Sequence, residues 1–367
     1  MKNKPKIVVF SAFYSPYMSG AELFVKELVE RLADKYDFCV ITSRLSSKLK
    51  PLEIEKKYTI RRVGFGFAGD KFLFIFLAPL AALKYKPKIV HAVMESYAGV
   101  ALWFFRFLNK KIPTVLTLQS GDLDDPKKQR RIPNWLWQRI HLTPDRITAI
   151  SSFLAKRAKK LGFPKEKISI VPNGVDLKSA PQNISQIPFR IICLARLSWE
   201  KGINYLIEAM TQVKKEFAQA HLVLVGDGPE RKKIEERVKK LNLEKSVEFK
   251  GKLSHQKALR ELAQSVVFVC PSLAEGLGIV FLEAMAVKVP IIGTPIGGIP
   301  DFLKNRETGL FCQVKNPQSI AEKIKELLED QPLREQLTEN AYKLVERKYS
   351  WDKIVQRIAD IYDEIIT

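Results

Sequence analysis

Two glutamates, Glu275 and Glu283, bracket seven residues that are otherwise glycine or apolar in the stretch EGLGIVFLE. A carboxylate among apolar neighbours is costly unless something pairs with it. VVFVC ahead of this stretch reads as a buried strand, PSLAEGLG as a loop, and IVFLEAMAVK as a helix starting near Gly278. Eight residues of helix span ~12 Å. That exceeds the ~5–9.5 Å between carboxylates that act together on one glycosidic bond. The spacing therefore favours two grips on one elongated ligand over an acid–base pair. Gly276 and Gly278 let a ligand approach the backbone closely. The free N–H groups and positive dipole of the helix start would then face an anion such as a phosphate.

Other charged positions fit the same kind of ligand. In LARLSWEKG, Arg196 and Lys201 follow the strand-like RIICLA and adjoin Gly202. They are placed to clamp a diphosphate, arginine by forked bonds and lysine as a point charge. Near the N-terminus KIVVFSAF runs into SPYMSGAELFVKEL, where Ser19 or Gly20 opens a helix and could receive an anionic group. Residues 64–69, GFGFAG, form a G-x-G-x-x-G by letter alone. The preceding YTIRRV carries Arg61 and Arg62 and reads as a half-exposed strand, unlike the central strand of a dinucleotide fold. VGDGPE (225–230) is a strand-to-helix turn with Pro229 suited to a first helical turn. There is no G-x-x-x-x-G-K-[ST], no H-E-x-x-H and no metal-spaced His/Cys cluster. Of four histidines, His91 after KIV is best placed at a strand end, and the other three read as structural.

The elements that must position these residues alternate along the chain. KIVVFSA, FCVITS, KIVHAV, TVLTL and RITAIS, then FRIICLA, HLVLVG, VVFVCPS and VPIIGT, are strand candidates, with patterns such as AELFVKELVERLADKY and INYLIEAMTQVKKEF between them. Such alternation predicts parallel α/β sheets. At 367 residues the chain is long for one core. DLKSAPQNISQIP is the best linker candidate, dividing the chain near residue 184. The expectation is two Rossmann-like domains, 1–180 and 181–348, facing a central cleft, with a terminal helix over 349–367 able to pack back on either domain, crossing to the first being one of the two. Ligands bind such sheets beyond the C-terminal ends of the strands.

Composition narrows the partners. Net charge is +21; residues 1–180 hold 33 Lys/Arg against 15 Asp/Glu, and residues 181–367 hold 28 against 25. The basic half predicts an anionic partner such as a membrane surface, an anionic saccharide or nucleic acid. KKQRRIPNWLWQRI (127–140) interleaves cations with Trp135 and Trp137, a composition suited to a membrane interface or to carbohydrate stacking. The four cysteines lie far apart and read as reduced, buried thiols. The apolar run before Ser11 is short for a signal peptide, and FLFIFLAPLAAL (72–83) is below spanning length. The expected location is the cytoplasm, reaching at most the inner face of the cell membrane.

Taken in order, SGAE, VPNGVD (171–176), ARLSWEKG, LVGDGPE, GKLS, CPSLAEGLGIVFLEAMA, IGGIPD and SWDKIVQRI resemble the retaining glycosyltransferases of family 4, which have the GT-B fold. The resemblance covers nearly the whole chain, and Glu275 and Glu283 with Arg196 and Lys201 carry most of its specificity. It implies transfer of a sugar from a UDP- or GDP-linked donor, with catalytic roles for Glu275, Arg196 and Lys201. Arg196 and Lys201 would bind the diphosphate. Glu275 and the backbone of Gly276, Leu277, Gly278 and Ile279 would hold the sugar and phosphate, and Glu283 the ribose. Gly20 would approach the diphosphate, and Leu253 the base. Gln119 and His91 are candidates for sugar or acceptor contact. Retention would come from same-face attack, with no enzyme nucleophile, so Glu275 is not one. Cations and a helix N-terminus that stabilise the leaving diphosphate make a metal unnecessary, and no cofactor is expected beyond the nucleotide sugar.

Two positions depart from the family pattern. Gln119 stands where histidine is frequent, and it can hydrogen-bond but not titrate. Lys288 stands where glycine is common. The expected acceptor is a lipid-linked or cell-envelope saccharide. Two other classes compete: a nucleotide-sugar epimerase or phosphorylase on the same architecture, and a non-enzymatic nucleic-acid binder. No recognition helix, zinc finger or RNA-binding signature supports the last.

Overall fold

Short β-branched runs bounded by turn residues become the buried strands of two parallel sheets. The computed structural model describes residues 4–120, 133–181 and 184–366. The chain divides into two compact units, Met1–Asn173 with Trp351–Thr367, and Gly174–Ser350. The division falls seven residues before the expected boundary at 180, ahead of the proline-bearing segment. The cut before the last helix falls after Ser350, two residues beyond the expected 348.

In the first unit the strands are β1 (Lys6–Phe10), β2 (Asp37–Ser43), β3 (Leu52–Ile54), β4 (Thr59–Val63), β5 (Ile89–Val93), β6 (Thr114–Leu118), β7 (Arg146–Ala149) and β8 (Ile168–Ile170). Their order is β3-β4-β2-β1-β5-β6-β7-β8, parallel except for β3 against β4. The helices are α1 (Gly20–Leu32), α2 (Asp70–Lys84), α3 (Tyr97–Leu108), α4 (Asn134–Leu142) and α5 (Ser152–Lys160). Strands β5 and β6 are buried along their whole length, which explains runs with no polar alternation. YTIRRV, expected to be half-exposed, forms β4 inside this sheet. Its Arg62 is buried, bonded to Ser15 and Lys50 carbonyls and paired with Glu53 at 2.8 Å.

The terminal helix of this unit, labelled α12 (Trp351–Ile366), packs its apolar stripe of Trp351, Ile354, Val355, Ile358 and Tyr362 on α1 and the sheet. Tyr36 donates to the Ala359 carbonyl at 3.1 Å and to Asp363 at 2.6 Å. The last helix in sequence is therefore part of the first unit's core.

In the second unit the strands are β9 (Arg190–Leu194), β10 (His221–Val225), β11 (Val247–Gly251), β12 (Val267–Cys270), β13 (Ile291–Gly293) and β14 (Leu310–Phe311). They are all parallel, in the order β11-β10-β9-β12-β13-β14. Helices α6 (Ile203–Glu216), α7 (Arg231–Lys240), α8 (His255–Ala263), α9 (Ile279–Ala286), α10 (Pro317–Glu329) and α11 (Gln331–Lys348) complete it. Numbered within the unit, this is the doubly wound order 3-2-1-4-5-6, whose direction reverses between β9 and β12. The loops leaving those two strands flank the natural binding crevice of the sheet, and the charged residues lie on them. All four cysteines are buried and unbridged.

Candidate active site

Arg196 and Lys201 lie on the loop after β9, and Glu275 to Gly278 on the loop after β12. These loops are stapled to one another. The Leu273 amide donates to the Glu200 carbonyl at 2.6 Å, and the Gly298 amide to the Glu275 carbonyl at 3.3 Å. Gly297, after β13, has φ +53°, and a Cβ there would sit 1.8 Å from the Glu275 carbonyl oxygen. Only glycine permits that approach. The backbone of Glu275 is thus fixed from both sides before any ligand arrives.

Lys201 donates to Glu275 Oε2 at 2.5 Å, with the two side chains 19% and 13% exposed. Burial alone would depress the Lys201 ammonium, but the adjacent Glu275 carboxylate overrides it and holds the group well above the usual lysine range. The charge that seemed to lack a partner in the sequence is paired with a lysine seventy-four positions away. Arg196 is exposed at the C-terminal edge of β9, and among the described residues its guanidinium has no ion-pair partner. It is a cation free to meet an anion.

Helix α9 starts at Ile279, one residue after the expected Gly278, which is its N-cap in the left-handed region at φ +86°. A Cβ at Gly278 would meet the Phe281 ring at 2.8 Å, so the turn itself demands glycine. Gly276, Leu277 and Gly278 are buried beneath the loop. Glu283 is the fifth residue of α9 and meets His255 Nε2 at 2.8 Å. His255 opens α8 directly after Leu253 and Ser254, so the Leu253 loop and Glu283 are neighbours. His255, expected to be a structural histidine, is exposed instead. Its one signal was position, two residues beyond the leucine assigned to the base.

The first unit holds the remaining candidates. Gln119 and Asn173 exchange two side-chain hydrogen bonds at 3.3 and 3.1 Å. Glu95, fully buried, accepts from the Gln119 and Ser120 amides at 3.1 and 3.3 Å and pairs with Arg157. Arg157 also donates to the Ser120 carbonyl at 2.9 Å, leaving Nε and Nη1 without partners among the described residues. Gln119 and Ser120 are therefore held in place, with two guanidinium donors beside them. Glu95, Arg157 and Asn173 escaped the sequence reading of this site because no local pattern links positions 24 to 62 apart.

Two expectations change here. His91 is no strand-end ligand. It is the central residue of β5, fully buried, bonded to Tyr362 and Thr117 at 2.6 Å each, and burial pushes its imidazole down to about 3. Ahead of Gly20, SGAE is a helix cap whose N-terminus is filled by the chain's own Glu22 carboxylate, which accepts from the Ser19 amide at 2.8 Å. Of KKQRRIPNWLWQRI, residues 127–132 lie outside the described residues. Trp135 is exposed, and Trp137 stacks against His141 at 4.6 Å. In GFGFAG, Asp70 takes the Gly66 amide at 2.6 Å and the Phe67 amide at 3.3 Å. That turn spends its donors on an internal carboxylate, not on a phosphate.

The sequence pattern of the glycosyl transferases group 1 matches residues 176–344, and that of glycosyltransferase family 4 matches residues 18–179. N-acetyl-alpha-D-glucosaminyl L-malate synthase of Bacillus anthracis is 30% identical over 275 residues, 71% of this chain and 70% of that one. The chain belongs to the group 1 glycosyltransferases. Two solved structures share the architecture of this glycosyltransferase. Sucrose-phosphate synthase from Thermosynechococcus elongatus superposes with a TM-score of 0.84 at 20% identity, covering 99% of both chains. Anabaena HepE, solved with UDP and glucose, gives 0.79 at 20% identity, covering 98% of this chain and 100% of that one. The glycosyltransferase has the GT-B fold, with two Rossmann-like parallel-sheet units.

Proposed function

We propose that this glycosyltransferase moves a sugar, with retention of anomeric configuration, from a UDP- or GDP-linked donor to a lipid-linked or cell-envelope saccharide. The observation that carries the reading is the Lys201–Glu275 pair beside the unpaired Arg196 on the loops that flank the β9/β12 crevice. A departing nucleoside diphosphate develops negative charge. Arg196, Lys201 and the N-terminal amides of α9 are groups of the right sign to stabilise it where it forms, and Lys201 is held in place by Glu275. With those cations in place, the transfer needs no metal ion.

Glu275 binds sugar hydroxyls while it stays paired to Lys201, so one carboxylate positions the sugar and orients the cation on the leaving group. Two anchors, not an acid and a base, remain the reading of Glu275 and Glu283. Glu283 and His255 take the ribose end, Leu253 lies by the base, and Leu277 and Ile279 supply backbone contacts. The Gln119 amide, clamped by Asn173, meets a sugar or acceptor hydroxyl. Retention proceeds by attack on the face the leaving group vacates, with no covalent intermediate on Glu275. UDP is favoured over GDP by the ligand of Anabaena HepE. The protein works from the cytoplasm, at the inner face of the cell membrane.

The test is to incubate the protein with a panel of UDP- and GDP-sugars and saccharide acceptors in EDTA. Acceptor-dependent release of one nucleoside diphosphate and an axial or equatorial linkage matching the donor support the reading. Conversion of the donor without an acceptor, to an epimer or a sugar phosphate, overturns it.

A further inference from the structure

Helix α2, DKFLFIFLAPLAALK, carries charge only at Asp70, Lys71 and Lys84. A helix apolar all round belongs in a core or in lipid. Yet only one side of α2 is buried, along Phe74, Ala78 and Ala82. Phe72 (57% exposed), Phe76 (54%) and Leu80 stand at i, i+4 and i+8 on the outer side, in solvent. The neighbouring α3 does the same with Phe107 (63%), and α4 with Trp135 (61%). Ring contacts join these helices into one surface. Phe76 meets Phe104 at 5.3 Å, Trp103 meets Phe107 at 4.8 Å, and Trp103 meets Trp135 at 6.3 Å. In the loop ahead of α2, Phe65 is 77% exposed. This is far more contiguous aromatic surface than scattered exposed residues produce.

The exposed charge carried by the α2–α3 segment itself has one sign, with Asp145 of a neighbouring loop paired to Arg106 of α3. Residues 64–112 contain seven Lys/Arg and two acids, Asp70 and Glu95, and both acids are fully buried. Lys84, Lys86, Lys110 and Lys111 are exposed, and the Lys71 ammonium lies over the Phe72 ring at 5.3 Å. A second copy of the chain, seated face to face, would set these cations against each other. An anionic bilayer satisfies both features: aromatic side chains enter the headgroup boundary, and lysines reach the lipid phosphates. Among the described residues no helix is long and apolar enough to cross a membrane.

We propose that the α2–α3 face, with Trp135 of α4, docks the protein on an anionic lipid bilayer. This deepens the lipid-linked acceptor reading and rests on it for its purpose, but it is measured without donor or acceptor. The full chain is sedimented with phosphatidylcholine vesicles, with and without phosphatidylglycerol, across a salt series. Binding to anionic vesicles is expected to exceed binding to neutral ones by on the order of tenfold, and to fall with salt. Phe72→Ser/Phe76→Ser/Phe107→Ser should lose on the order of tenfold in partitioning, with nucleotide binding unchanged. Lys110→Glu/Lys111→Glu, at exposed sites where folding is not at stake, should weaken binding and flatten the salt dependence. Equal binding to neutral and anionic vesicles overturns the proposal. So does undiminished binding by the aromatic variant, or a concentration-dependent dimer that this variant abolishes. None of those results touches sugar transfer, which is read by nucleoside diphosphate release.

Discussion

Replacing Lys201 by methionine keeps most of the side chain's volume and removes only its charge. Glu275 then loses the ammonium that meets it at 2.5 Å, at a site 13% exposed. Breaking a fully buried pair costs about 3–5 kcal/mol, and an exposed pair is worth less than about 1 kcal/mol. A pair this deep but still in reach of water should fall between them, at about 2 kcal/mol. For a unit of this size that lowers the melting temperature by about 4–8 °C. Lys201→Met/Glu275→Gln removes the stranded carboxylate and should recover about half of the loss, the sign of a coupled pair. Because the pair holds the Lys201 ammonium above its ordinary range, its contribution is whole below that range and fades only as pH climbs through the raised value. The destabilisation should therefore be level from about pH 6 to 9. Turnover, read as nucleoside diphosphate release, should drop by about 10²–10³ in the folded variant. A double variant no more stable than the single one would refute the pairing, and turnover within about threefold of wild type would refute the assignment to the leaving group.

Other perturbations separate the remaining roles. Glu283→Ala should raise the donor KM about tenfold with kcat little changed, as befits a uniform grip on the ribose; a fall in kcat alone would contradict that role. Arg157→Ala strands the fully buried Glu95 carboxylate, so the first unit should lose about 3 kcal/mol in denaturant unfolding, and a loss below about 1 kcal/mol would contradict the burial. The His91 imidazole is pushed down to about 3, so the unfolded chain binds a proton that the folded one refuses between about pH 6.5 and 3. Stability should fall as pH drops through that window, and His91→Gln should remove up to about one proton from the slope of unfolding free energy against pH.

Much of the second unit was legible because its signals are local. RIICLA and VVFVC are unbroken apolar runs and become β9 and β12, and glycine at 278 marks the turn into α9 because the turn needs a left-handed residue. Glu275 and Glu283 each have a partner of their own, Lys201 and His255. What no local pattern could supply is who those partners are. His91 shows the opposite failure: KIVHAV looks like a strand ending at its histidine, but the strand runs on to Val93, and a tyrosine 271 positions away buries the ring. The long-range packing of α12 on the first sheet decides that position, and the periodicity of the helix says only that it must pack somewhere. Glu22 likewise turns SGAE into a self-contained cap, because a carboxylate three residues after Ser19 reaches back to its amide.

The central claim is that Arg196 and Lys201 hold the diphosphate of a nucleotide sugar. Titration calorimetry with UDP and with GDP, on the wild type and on Arg196→Ala/Lys201→Ala, addresses it without knowledge of sugar or acceptor. One nucleotide should bind the wild type at a single site and bind the folded double variant at least about a hundredfold more weakly. Equal affinity in the two proteins, or no binding of either nucleotide to the wild type, would contradict the account.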